Sequence, residues 1–254
     1  MPLYKNDYPI LEYDTEKTAI IDPKGEPNIP AKCLMTFFDE VLQDFVKKHN
    51  AVEVNSYISE MKDFPIYKAI YKGVEIGLTQ ATVGSGSSAM QADHIIGHGV
   101  KTLIACGSCG VLTDIPAGDV IIPTSALRDE GASYHYLPPA REIALDGKVI
   151  ASIKKTLDEL AAPYVEAKTW TTDAFFRETP SMVAYRKQEG CAVVEMECAT
   201  LAAVSEFRRI KFGQLLYSGD TLADPEKYDG RDFYNNLSAR ERLFYLALEA
   251  LVGV

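Results

Sequence analysis

The chain has 254 residues, enough for one domain with a sizeable buried core. Its composition, 47 % hydrophobic and 24 % charged, is that of an ordinary globular protein, and a formal charge of −10 argues against nucleic acid or an anionic membrane as partner. A small anionic ligand stays open, because a local pocket can oppose the overall field. The five cysteines, an odd number set mostly in apolar stretches, form no disulfide framework and suit a reducing cytoplasm. The first residues show no basic segment followed by an apolar one, so no leader is expected, and no uncharged apolar run reaches membrane-spanning length.

After a proline-bearing entry, Leu34, Phe37, Phe38, Val41, Leu42, Phe45 and Val46 make a period-3.6 stripe that predicts a helix entered from Pro30. Strands are expected over 52–56, 66–71 and 74–83, then a glycine-bearing turn from Gly84 into a helix ending near His98. Lys101–Cys106 reads as a buried strand closed by a sharp turn, Gly107-Ser108-Cys109-Gly110. Further strands follow at 120–123, 164–171 and 212–217, with helices at 148–160 and 180–188. The second helix leads into a short apolar strand from Cys191, and Glu195 and Glu197 then fall in the first turn of a nearly apolar helix reaching Phe207. Met196 is expected on that helix's inner face. The strand at 212–217 ends in a turn, Ser218-Gly219-Asp220, and a last helix starts at Ser238, where Ser238 and Glu241 have capping-box spacing.

Strands alternating with helices predict an α/β fold, and with no linker or repeat the whole of 1–254 reads as a single domain. In such sheets ligands sit at the carboxyl ends of strands. That is where Gly84–Ser88, Gly107–Gly110, Asp173–Arg177, Glu195–Glu197 and Ser218–Asp220 should gather.

Four patterns carry chemistry. Carboxylates at the head of a buried helix either cap it or accept hydrogen bonds from a hydroxyl-rich ligand such as a ribose. Gly84-Ser85-Gly86-Ser87-Ser88-Ala89 matches G-x-G-x-x-G/A, but the next strand ends without the acid a dinucleotide site needs. His94 and His98 have zinc-ligand spacing but lack an intervening glutamate and a third ligand, so helix packing explains them better and no metal is expected. Gly107–Gly110 offers backbone N–H groups and a hydroxyl to an anion, and Phe175 and Phe176 could stack a planar base.

Together these stretches resemble the nucleoside phosphorylase-I family, which includes purine nucleoside phosphorylases, uridine phosphorylases and related nucleosidases. Val194-Glu195-Met196-Glu197 is similar to its V-E-M-E signature and Gly107-Ser108-Cys109-Gly110 to its G-S-C-G turn. Thr172-Asp173-Ala174-Phe175-Phe176 is similar to its base-pocket segment, Ser218-Gly219-Asp220 to its S-D segment, and Glu130–His135 to a uridine phosphorylase loop. The resemblance implies a three-layer sandwich, a central mixed sheet flanked by helices. It implies cleavage of a purine or pyrimidine nucleoside by inorganic phosphate, a co-substrate, with no cofactor, giving free base and ribose 1-phosphate. Glu195, Met196 and Glu197 would bind the ribose, Gly107 and Ser108 the phosphate and Phe175 the base, while Asp220 would be the catalytic acid. The protein would work in the cytoplasm as a homo-oligomer (dimer, trimer or hexamer).

The chain also departs from the family pattern. Ala105 and Val52 stand where phosphate-binding arginines are expected, and the N-terminal G-D-P-x-x-R signature is absent, with Asp22-Pro23-Lys24 or Lys32 as its candidate substitutes. Gly219 is extra, which would put Ser218 rather than Asp220 in register. A nucleosidase using water and a non-catalytic nucleoside-binding protein are the alternatives.

Overall fold

Period-2 and continuous apolar runs build the strands of the sheet, and amphipathic segments between them supply its helical cover. The computed structural model describes residues 3–224 and 226–254; Met1 and Pro2, the start of the stretch read for a leader, lie outside them. In chain order the described elements open with β1 (Leu3–Tyr4), β2 (Tyr13–Asp14), β3 (Lys32–Thr36), α1 (Asp39–Lys48), β4 (Val52–Ile58), β5 (Asp63–Tyr71) and β6 (Val74–Gln80). The middle holds α2 (Ser85–Gly97), β7 (Thr102–Val111), β8 (Val120–Asp129), β9 (Glu142–Ala144), α3 (Gly147–Glu159) and β10 (Tyr164–Thr172). Last come α4 (Pro180–Gln188), β11 (Cys191–Glu195), α5 (Cys198–Arg208), β12 (Lys211–Thr221) and α6 (Leu237–Gly253).

The large sheet runs β11-β10-β8-β12-β7-β3-β6-β5-β4, with β9 on the side of β8. It is mixed: β3, β6, β7 and β12 pair in parallel, as do β8, β10 and β11, while β12 meets β8 antiparallel. β11 also pairs antiparallel with β7, so five strands close on themselves around a small core that includes Val111, Ile121, Val193 and Leu216. Helices α1, α3 and α6 pack together on the sheet, and α2 and α5 form the second helical layer. This is the expected three-layer α/β sandwich.

Several expectations change. The stripe beginning at Leu34 is not one helix: Cys33, Leu34 and Met35 lie fully buried in β3 between β6 and β7, and the helix starts only after Phe38. A continuous apolar run buried on both faces is what an interior parallel strand requires. Pro30 therefore precedes a strand. The turns expected at Gly107 and Ser218 are extended, because β7 and β12 pair with each other from Thr102 to Val111. The last helix starts at Leu237, capped by Asn236, which accepts from the Ala239 N–H at 3.2 Å; the Ser238 hydroxyl donates to that same side chain.

Candidate active site

The carboxyl ends of β7, β11 and β12, with the turn after β10, surround a cavity of about 840 Å³. Ser108, Phe175, Glu195, Met196, Glu197 and Asp220 are all on its wall.

Glu195 is the last residue of β11 rather than the first turn of a helix. Its Oε1 accepts from the hydroxyls of Thr169 (3.2 Å) and Thr171 (2.6 Å). Its Oε2 accepts from the backbone N–H groups of Glu197 (2.7 Å) and Cys198 (2.6 Å). Those amides head α5, so Glu195 satisfies donors that a helix leaves unpaired and places negative charge at its positive end. Burial raises its pKa while these donors pull the other way. Both oxygens are committed to the fold, so Glu195 builds the site from behind.

Glu197 occupies the N-cap position of α5 and is 5 % exposed. Its Oε1 accepts from the Gly84 N–H at 2.6 Å. Gly84 has φ of +92°, a conformation that suits glycine, and it aims this amide as the chain turns into α2. The glycine-rich stretch matching the dinucleotide fingerprint thus serves a carboxylate. Burial, then the charge of Glu195, pushes the Glu197 pKa up to about 8. With its proton it can both donate to and accept from a ligand's hydroxyls. Met196 lies between the two acids on the cavity wall, before α5 begins.

Asp220 and Ser218 are separated by the extra glycine. Ser218 pairs with Cys109 and Asp220 with Gly110, so Gly219 is absorbed as a β-bulge. Ser218 is fully buried and its hydroxyl accepts from Arg231 at 2.7 Å, while Asp220 lines the cavity. Burial raises the Asp220 pKa, against a hydrogen bond from Tyr228.

Glu178 is a cavity residue that sequence reasoning missed. Its backbone N–H closes the turn Phe175–Arg177 by donating to Phe175 at 3.2 Å. Burial, then the charge of Asp220, pushes its pKa up to about 7. The usable signal was an acid three residues after Phe175, one turn along. The Phe175 and Phe176 rings lie against each other on the cavity wall, centroids 4.0 Å apart and planes tilted by 36°, and both rings stay exposed.

The expected anion turn looks different. Gly107 lies in β7 with the Phe37 ring against it: a Cβ there would sit 2.7 Å from a ring carbon. Ser108 reaches the cavity, while Gly107 is not on its wall. An extended strand spends its amides on neighbouring strands, so it presents no cluster of N–H groups to an anion. The candidate substitutes for the missing arginines point elsewhere. Lys32 donates to the Val252 carbonyl at 2.8 Å, and Lys24 stays exposed beside Asp22. Ala105 is buried and Val52 is exposed on the edge strand β4. Glu178, Glu195, Glu197, Asp220 and Asp224 make the wall strongly acidic, and none of the described residues on it is a lysine, arginine or histidine.

The loop at Glu130–His135 packs against α2 and α5, off the cavity wall. His94 bonds Asn55 at 2.8 Å and its ring lies tilted against that of His98, and burial lowers its pKa to about 4. Among the described residues no group of His, Cys, Asp or Glu is placed to hold a metal, and no helix is long and apolar enough to cross a membrane.

The pattern of the Phosphorylase superfamily matches residues 32–252, so the chain belongs to that superfamily. Over 193 residues it is 30 % identical to a purine nucleoside phosphorylase of Plasmodium falciparum, covering 72 % of this chain and 78 % of that one. Among solved structures, the AMP nucleosidase of Bacteroides thetaiotaomicron is 24 % identical with a TM-score of 0.70, covering 88 % of each chain. The purine nucleoside phosphorylase of Toxoplasma gondii, solved with immucillin-H, is 17 % identical with a TM-score of 0.77, covering 92 % of this chain and 97 % of that one.

Proposed function

We infer that this chain cleaves the N-glycosidic bond of a nucleoside in the cavity, and that water is the acceptor its geometry favours. The observation that carries the choice of acceptor is the wall of five carboxylates with no basic residue among those described. Phosphate binding normally draws on charge-assisted contacts from arginine or lysine. Here Phe37 covers Gly107 instead.

Glu197 binds the ribose hydroxyls, Met196 packs on the sugar, and Phe175 lies against the base. As the glycosidic bond breaks, positive charge spreads over the sugar, and those wall acids that have given up their protons stabilise it. Asp220 gives the leaving base its proton, with Glu178 close enough to feel its charge. A purine fits this acid better than a pyrimidine, because the loop similar to uridine phosphorylases lies off the wall. The chain then needs no cofactor and works in the cytoplasm as a homo-oligomer. Exposed Val52, Ile58 and Ile70 near the β4 edge are consistent with such assembly.

Phosphorolysis to ribose 1-phosphate is the second reading. It is favoured by the name of the Plasmodium relative and by Ser108 on the wall. The test incubates the protein with a panel of purine and pyrimidine nucleosides, with and without phosphate, and follows base and sugar. Free ribose at a rate indifferent to phosphate supports hydrolysis. Ribose 1-phosphate and an absolute need for phosphate would establish the second reading, and binding without release would leave a nucleoside-binding protein.

A further inference from the structure

Gln214 stands in the middle of β12, 1 % exposed, on the wall of the same cavity. Neither its side-chain nitrogen nor its side-chain oxygen has a hydrogen-bond partner among the described residues. Burying a polar group unpaired is unfavourable, and native proteins rarely leave both ends of an amide so. Its register partner on β7 is Ala105, which offers a methyl group, and Leu216 follows two residues along the strand on the cavity wall. An apolar side chain would suit those neighbours. Other buried polar atoms without partners, such as those of Ser56, Thr82 and Glu130, belong to residues off this wall. Gln214 is therefore a polar group whose partner enters through the cavity.

The chemistry of the amide limits that partner. It offers a donor and an acceptor without charge, which a water molecule complements at both ends. An anion would leave the carbonyl oxygen unmatched and would face an acidic wall. Ala105, the register neighbour of Gln214, stands at the position where the sequence resemblance implies an arginine.

We propose that Gln214 is a positioning residue that holds and orients the water attacking the anomeric carbon, a role that rests on the hydrolytic reading above. The water oxygen bonds to the anomeric carbon as the carbon–nitrogen bond breaks, and the electron pair stays on the base nitrogen. The water gives a proton to a carboxylate of the wall, the base takes one from Asp220, and the net reaction is nucleoside plus water to ribose plus free base.

The test compares wild type with Gln214→Leu, and with Gln214→Met as a second, unbranched replacement. The expected result is a kcat about 100-fold lower with KM within about twofold, because binding survives while the attack geometry is lost. The melting temperature should hold or rise, since an unpaired buried amide gives way to an apolar group. A residue that merely fills the core would show the reverse, a lower melting temperature with kcat kept, and that result overturns the proposal. Measuring product in methanol–water mixtures adds an independent readout: the variants should give a larger share of methyl riboside than wild type. An unchanged share would also count against the role. A wild-type reaction that needs phosphate is a different failure, because it removes the hydrolytic reading itself.

Discussion

Two glutamates two residues apart do different work because their hydrogen bonds differ. Glu195 is spent on four donors of its own chain, while Glu197 accepts from the Gly84 N–H, lines the cavity and has its pKa pushed up to about 8. That raised value has a consequence for stability. The folded state holds the Glu197 proton more tightly than the unfolded chain, whose ordinary value is 4.5. Between those two values the unfolded chain releases its proton first, so this group makes the protein less stable as pH rises, levelling off above about 8. Glu197→Gln should therefore abolish turnover and yet melt higher than wild type. The gap should be small at pH 5 and widen to several degrees by pH 8, as read by thermal denaturation across pH. A gap independent of pH would mean the carboxyl is not strained in this way. Which acid does which task was not legible in V-E-M-E, because burial and partners belong to the fold.

At the scale of the element, a bulge in β12 sets which side chain reaches the cavity. Alternation along β12 would turn Asp220 and Ser218 to one face, but Gly219 slips out of register. Ser218 turns into the fold against Arg231, and Asp220 remains on the cavity. Deleting Gly219 should restore regular pairing with β7 and misdirect Asp220. Activity is expected to fall about 100-fold or more, as for loss of a general acid, while far-ultraviolet circular dichroism stays that of the folded chain. Retained activity would show that Ser218 or Glu178 protonates the base. The β3–α1 segment teaches a related lesson. The stripe from Leu34 to Val46 satisfies helical spacing, yet its first residues are claimed by the sheet, because a strand between β6 and β7 buries Cys33, Leu34 and Met35 completely. Local periodicity loses there to the area a central strand can bury.

Over the whole molecule, charge and topology act together. The formal charge is −10, and the cavity wall carries five acids with no basic residue among those described; burial holds protons on Glu178 and Glu197 up to about pH 7 and 8, so the negative field of the wall strengthens as pH rises. Uncharged nucleosides should bind far better than their 5′-monophosphates, a discrimination that weakens as salt screens the field. Competition assays at low and high ionic strength would check this, and equal affinity for the monophosphate would point to cations supplied by a partner subunit. The sequence by itself determined the α/β class and most element positions, and it named several of the residues that line the cavity, among them Ser108, Phe175, Glu197 and Asp220, because alternating hydrophobic periods and glycine-rich strand ends are local signals. It also supplied the family, through short motifs such as Val194-Glu195-Met196-Glu197. Only the tertiary structure decided that Gly107 lies under Phe37, that Glu195 is a cap, and that Glu178 and Gln214 face the cavity. The reason is physical: whether a polar side chain meets a ligand or its own backbone depends on strands far apart in sequence, and those distances exist only after the sheet has closed.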